Sequence, residues 1–181
     1  MQPPPVPPTA EPRSLPPAPI ARRLMSGVYE CLVVLALMLV ASLAFPGAAT
    51  GRLSGLSQHI YQLYLLMVVG LYFTWCWTRS GQTLPMRTWR IRLARADGRI
   101  PGTGLALARF AAASLMYVPA AIGASMAWKT PGEPWGWMLL APGAATLAWP
   151  LVDASGRFLH DRLAGTFLQD VRPPKGGGSP Q

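Results

Sequence analysis

The sequence predicts an all-α integral membrane protein: a four-span helical bundle with a short cytoplasmic strand or hairpin between spans 2 and 3. Three observations carry this expectation. Only 13% of the 181 residues are charged while 51% are hydrophobic, and a soluble fold so poor in charge would struggle to cover its surface. Long apolar runs divide the chain into four. The basic residues, 16 Lys and Arg against 7 Asp and Glu for a net charge of +9, collect in alternate connections between those runs.

Residues 1–19 hold nine of the twenty prolines and almost no large apolar side chains. Such a segment cannot bury a core and is expected to be a disordered, Pro-rich cytoplasmic tail of polyproline character, a place where a protein partner could dock. The membrane domain is expected over 20–172, and a second disordered tail over 173–181. The first span runs over 24–45, about 33 Å as a helix against a hydrocarbon layer of roughly 30 Å. Glu30 is its sole charge, and Pro46-Gly47 ends it. The run is too long for the apolar part of a secretory leader and follows a long tail, so it reads as a span. The second span, 60–77, carries Tyr61, Tyr64, Tyr72, Trp75 and Trp77 towards its ends, as interfacial belts do. The third, 105–128, has Arg109 near its start and Pro119 inside. A Pro/Gly turn at 129–134 leads to the fourth, 135–152, which is short and broken by Pro142 and Pro150. A tilted or kinked span is expected there, or a re-entrant hairpin.

Charge asymmetry orients the bundle. With both termini cytoplasmic, fourteen of the basic residues fall inside, and Arg52 and Lys129 alone fall outside. The expected location is the plasma (inner) membrane, multipass. In the cytoplasmic loop 79–104, Trp89, Ile91 and Leu93 alternate with Arg90 and Arg92 before an Asp97-Gly98 turn signal. Period two with a turn suggests a strand or hairpin along the membrane surface. Its apolar face would sink towards the headgroups, and Arg87, Arg90, Arg92 and Arg95 would meet anionic lipid.

Several short motifs together resemble the RDD family of bacterial membrane proteins. They are Ala21-Arg22-Arg23-Leu24 with an acid further along, then Gly81-Gln82-Thr83-Leu84, Trp89-Arg90-Ile91-Arg92 and Asp97-Gly98. Leu159-His160-Asp161-Arg162-Leu163-Ala164-Gly165-Thr166 closes the series. The resemblance covers about residues 20–172. The one arginine and two aspartates that name the family look by position like Arg23 (or Arg22), Glu30 and Asp161, so the first acid is Glu here. Pro85 stands where the family pattern has Gly, and extra length between Trp128 and Val152 favours a separate fourth span. The resemblance implies a multipass protein, with transport as the expected activity, and supplies no mechanism.

The charged residues near the apolar runs are the candidate site. An ionised carboxylate in hydrocarbon costs a few kcal/mol, so Glu30 needs a partner or a proton. Arg23 lies seven residues earlier on the same helix face, and Ser26 and Gly27 between them make a polar stripe suited to other helices. Arg109 and Asp153 approach from the same side. The expected cluster is therefore Arg23, Glu30, Arg109 and Asp153: either a cation or proton site centred on Glu30, or an ion network that fixes helix register. Asp161 and Arg162, after His160, read as a polar latch onto the 79–104 loop, with the Gly81-Gln82-Thr83 turn as its partner.

No enzyme is expected. There is no phosphate-binding loop, and Gly102-x-Gly104 lacks the third glycine. No nucleophile comes with a His and an acid on one side of the membrane. Cys31 and Cys76 lie within apolar runs as small hydrophobes, so neither a metal nor another cofactor is expected. The basic residues are spread by topology rather than gathered in a patch, which argues against nucleic acid. The leading function is transport of a small solute or ion, proton-coupled through Glu30, or an accessory role in it. The alternative is a non-catalytic membrane scaffold or assembly factor that binds partner proteins or anionic lipid. The cluster is shallow and the four runs show no internal repeat, so a pathway between subunits would call for a homo-oligomer.

Overall fold

The computed structural model describes residues 15–48, 50–153 and 156–172; positions 1–14 of the tail expected over 1–19, and the whole of that expected over 173–181, lie outside the described residues. Helix α1 spans Ile20–Leu43 and α2 spans Leu56–Ser80. A single-turn helix α3, Leu84–Thr88, leads to strand β1, Ile91–Arg95. Helix α4 spans Thr103–Lys129, and α5, Pro134–Ala148, runs into a 3-10 turn at Trp149–Leu151. The single turn α6, Leu159–Leu163, and strand β2, Thr166–Asp170, follow. The result is a mostly helical protein with a two-stranded sheet.

Three helical segments, those containing α1, α2 and α4, are long and apolar enough to cross a membrane. Within the apolar stretch of α1 only 11% of residues are buried inside the protein. Leu32, Leu39, Leu71 and Leu115 lie more than half exposed, so these helices leave their apolar faces without protein cover. Helix α5 is shorter than the sequence suggested. Its 15 residues rise about 22 Å, below the roughly 20 residues a straight span needs.

What α5 lacks in length it makes up in closeness to α4. Contacts run antiparallel: Gly136 faces Gly123 and Ala127, Gly143 faces Ala120, and the Thr146 hydroxyl reaches Met116 Sδ at 2.7 Å. A Cβ on Gly123 would sit 2.5 Å from the Gly136 carbonyl oxygen, and one on Gly143 would sit 2.6 Å from the Ala120 Cβ. Small residues on both helices thus let the backbones touch, which is how helices associate where no hydrophobic effect drives them together. Gly70 does the same for α2 against the Phe110 ring of α4.

Strand β1 forms where period two placed it, but it is not half of a local hairpin. The Asp97-Gly98 turn exists, with Gly98 at φ +77° and its N–H donating to the Arg95 carbonyl at 2.9 Å. The partner strand is β2, antiparallel, with Ile91 opposite Asp170 and Arg95 opposite Thr166. An alternating pattern specifies a strand and its buried face; it does not specify a distant partner. Residues 16–18, which composition assigned to the tail, lie along the other edge of β2. Pro17 bridges Gln169, the Ala18 N–H donates to Leu168 O at 2.9 Å, and the Asp170 N–H donates to Pro16 O at 2.9 Å.

The apolar face of β1 also departs from expectation. Ile91 and Leu93 are fully buried, packed with Ala18, Trp77, Met86, Ala106, Phe158 and Leu168. This compact core is covered by protein, so the strand does not need headgroups to hide its side chains. It gathers the start of α1, the end of α2 and the start of α4 at one end of the bundle.

Candidate functional site

Arg109 projects from the first turns of α4 into that end of the bundle and is 4% exposed. Its Nη2 and Nε meet Asp161 Oδ1 at 2.6 and 2.8 Å. The guanidinium lies over the Trp77 ring, 4.2 Å from the centroid, a contact that Arg makes well because its flat cation is weakly hydrated. Asp161 is 1% exposed, so the pair is fully desolvated and neither member can lose the other cheaply. Arg109 Nη2 also lies 3.4 Å from His160 Nε2. His160 stacks on Phe158 with an interplanar angle of 6° and meets the edge of Tyr117. Burial drives its pKa down to about 4, with Asp161 opposing and Arg109 reinforcing the shift. The imidazole is therefore neutral near pH 7 and can accept from Arg109 through Nε2.

Arg23, 5% exposed in the first turn of α1, donates to the Gly156 carbonyl and lies within electrostatic reach of Asp161. Glu30, two turns further on, has no cation at ion-pair distance among the described residues. Two neutral hydroxyls hold it instead: Tyr72 donates to Oε1 at 2.9 Å, and Thr83 donates to Oε2 at 2.5 Å. Arg109 acts on it electrostatically. Arg23 Nε, His160 Nδ1 and Asp161 Oδ2 are buried with no hydrogen-bond partner among the described residues, so the cluster holds two donors and one acceptor in reserve.

The turn after α2 shapes this site. Gly81 closes α2 in the left-handed region at φ +69°, its N–H on the Trp77 carbonyl at 3.1 Å. A Cβ there would also lie 2.8 Å from the Leu93 carbonyl oxygen, so glycine is required twice. The Gln82 amide donates to Ile91 O at 2.7 Å. Thr83 caps α3, its Oγ1 accepting from the Met86 N–H at 3.4 Å while its proton goes to Glu30. Pro85 sits in the first turn of α3, where its missing N–H leaves no bond unmade. Gly165, at φ +63°, turns α6 into β2, and Thr166 donates back to Asp161 O at 3.4 Å.

The structure thus brings together Arg23, Glu30 and Arg109, with Asp161 rather than Asp153 as the second acid. Asp153 instead accepts from Arg162 and from the Arg157 N–H, the latter at 2.9 Å. The polar latch changes partner for the same reason. One helical turn sends Asp161 inward to α4 and Arg162 back to Asp153, while the 81–83 turn serves Glu30 and β1. Arg22 pairs with Asp170 at 2.9 Å, tying the start of α1 to β2. Arg172, first, and Arg22 together hold the Asp170 carboxyl well below the usual carboxylate range. Of the basic loop, Arg87, Arg90 and Arg95 are exposed, whereas Arg92 is half-buried and reaches Gln169 Oε1 at 3.4 Å. Sequence reasoning missed Tyr72 and Thr83 as holders of Glu30, and Trp77 as the platform under Arg109. Thr83 stood in a motif, and the rings stood in the aromatic belt, but no local spacing links residue 30 to residues 72 and 83. Among the described residues no three His, Cys, Asp or Glu side chains gather as a metal site.

Long apolar helices and one end closed by buried charge define a membrane-type helical protein. The family model described as the RDD family matches residues 17–165, and the chain belongs to that family. No curated protein and no solved structure matches it.

Proposed function

We propose that the chain is a plasma (inner) membrane protein with four crossings and both termini cytoplasmic, and that it moves a small solute or ion with proton coupling or assists such transport. The closure of the sheet supports the crossing count. Helix α4, 27 residues, carries the chain about 40 Å, yet β2 pairs with β1 beside the start of α4. The intervening α5 and its 3-10 turn return the chain, and a locally thinned or tilted arrangement accommodates their shortness. The one-sided arginines support the orientation, and the exposed Arg87, Arg90 and Arg95 favour anionic headgroups as neighbours.

The observation that carries the transport reading is the contrast between the two acids. Asp161 is locked on Arg109, whereas the hydrogen bonds to Glu30 come from hydroxyls and Arg109 acts on it only at a distance. A hydroxyl-held carboxylate can take up a proton or a cation without stranding a buried guanidinium, which is what a cycling site requires. The unpaired atoms on Arg23, His160 and Asp161 add polar capacity beside it. Purified protein in proteoliposomes tests this. Glu30→Gln is expected to abolish pH-gradient-driven ion flux while the melting temperature in detergent stays near wild type, and Glu30→Asp is expected to keep part of the flux. Wild-type vesicles without flux, or a Glu30→Gln variant that melts early, would shift the reading to the scaffold or assembly factor.

A further inference from the structure

At the cytoplasmic end of α2, where the chain turns into α3, lies a cleft of about 370 Å³ lined by Trp75, Arg79, Ser80, Gln82, Leu84 and Arg87. Its polar wall is cationic. No carboxylate lines it, and neither Arg79 nor Arg87 has an ion-pair partner among the described residues. Arg79 is exposed and carries its guanidinium over the Trp75 ring at 4.6 Å. Ser80 spends its proton on the Cys76 and Gln82 carbonyls, and the Gln82 amide donates to Ile91 O, so the charged donors left for a ligand are the two guanidinium groups.

The other wall is apolar and open. Leu71, Trp75 and Arg79 are spaced by four along one face of α2, and Leu71, Trp75 and Leu84 are 70%, 63% and 66% exposed. An apolar strip that ends in two unpaired guanidinium groups matches a molecule with a phosphate at one end and a hydrocarbon chain at the other.

We infer that this cleft seats the phosphodiester of one anionic phospholipid, with Arg79 and Arg87 forking its oxygens and an acyl chain lying along Trp75 and Leu71. Arginine suits the role because its planar donors match phosphate oxygens in pairs. The seat rests on the membrane placement proposed above and is independent of transport. It is also distinct from diffuse attraction to the basic loop, since Arg90 and Arg95 lie outside the cleft.

Native mass spectrometry of the full chain in neutral detergent, titrated with phosphatidylglycerol, phosphatidylcholine or inorganic phosphate, tests the seat. One phosphatidylglycerol is expected to be retained in preference to phosphatidylcholine, with inorganic phosphate a poor competitor. Arg79→Gln and Arg87→Gln are each expected to weaken retention roughly fivefold, while Arg90→Gln with Arg95→Gln leaves it unchanged. Should the glutamine variants unfold, Arg79→Lys with Arg87→Lys decides, since it keeps the charge and loses the fork; preference for phosphatidylglycerol is then expected to fall. Equal loss in the Arg90 and Arg95 variant would show diffuse attraction and overturn the seat. Equal saturation by inorganic phosphate would assign a free-anion site and overturn the lipid. A chain that fails to float with vesicles would instead overturn the membrane placement.

Discussion

Asp161, fully buried, and Glu30, half-buried, both feel Arg109 but answer differently to the loss of a charge. Asp161→Asn leaves Arg109 desolvated without its counter-charge, an expected loss of about 3–5 kcal/mol. Adding Arg109→Gln is expected to return much of it, and a thermal mutant cycle in detergent measures the coupling. His160 gives a second prediction, in pH. Its folded pKa, about 4, lies below the ordinary 6.5, so between those values the unfolded chain binds the extra proton. Its contribution is complete above pH 6.5 and declines as pH falls towards 4, by about 1.4 kcal/mol per pH unit. His160→Gln is expected to flatten the melting temperature across that window. Asp170, whose pKa is depressed from an ordinary 3.8, acts only at lower pH, so the two effects separate. At this scale the sequence showed which residues are costly to bury: Arg23, Glu30 and Arg109 stood out as charges near apolar runs. Their partners were hidden, because Asp161 meets Arg109 through folding rather than through spacing.

Among the elements, the helices were the most legible, since apolar runs bounded by Pro and Gly give their existence and approximate length directly. Strand β1 was legible from its alternation. Strand β2, with the sequence Thr-Phe-Leu-Gln-Asp, was missed because Thr166, Leu168, Gln169 and Asp170 are all buried; with cover on both faces the two-residue period disappears. The tight elements carry predictions of their own. Gly81→Ala is expected to cost at least about 1–2 kcal/mol from its left-handed backbone alone, before the contact with Leu93 O is relieved. Gly123→Leu is expected to part α5 from α4 at a cost of about 1–3 kcal/mol. Thermal unfolding in detergent reads both, and a Gly123→Leu protein as stable as wild type would refute the close approach of the two helices.

For the whole molecule, cysteine labelling in intact cells examines the topology, in a chain whose Cys31 and Cys76 are replaced by Ser. A cysteine at Ser54 or Gly132 is expected to react with an impermeant thiol reagent from outside, and one at Gly98 to stay silent; labelling at Gly98 would reverse the orientation. The long apolar helices were legible because lipid imposes a length rule on sequence. The closure of one end was not, because it joins residues 16–18, 91–95 and 166–170. That closure has a bearing on biogenesis. Every long helix emerges from the ribosome before α6 and β2 do, so for an interval the chain holds Arg109 with no Asp161 and β1 with no neighbour. A messenger truncated after Asp153 would encode all the long helices and still yield a product with an unneutralised arginine and an open strand edge. Membrane proteases are expected to clear such a product, and its pulse-chase half-life should fall well below that of the full chain. On this expectation α6 and β2, made after the long helices, neutralise Arg109 and cover the β1 edge together.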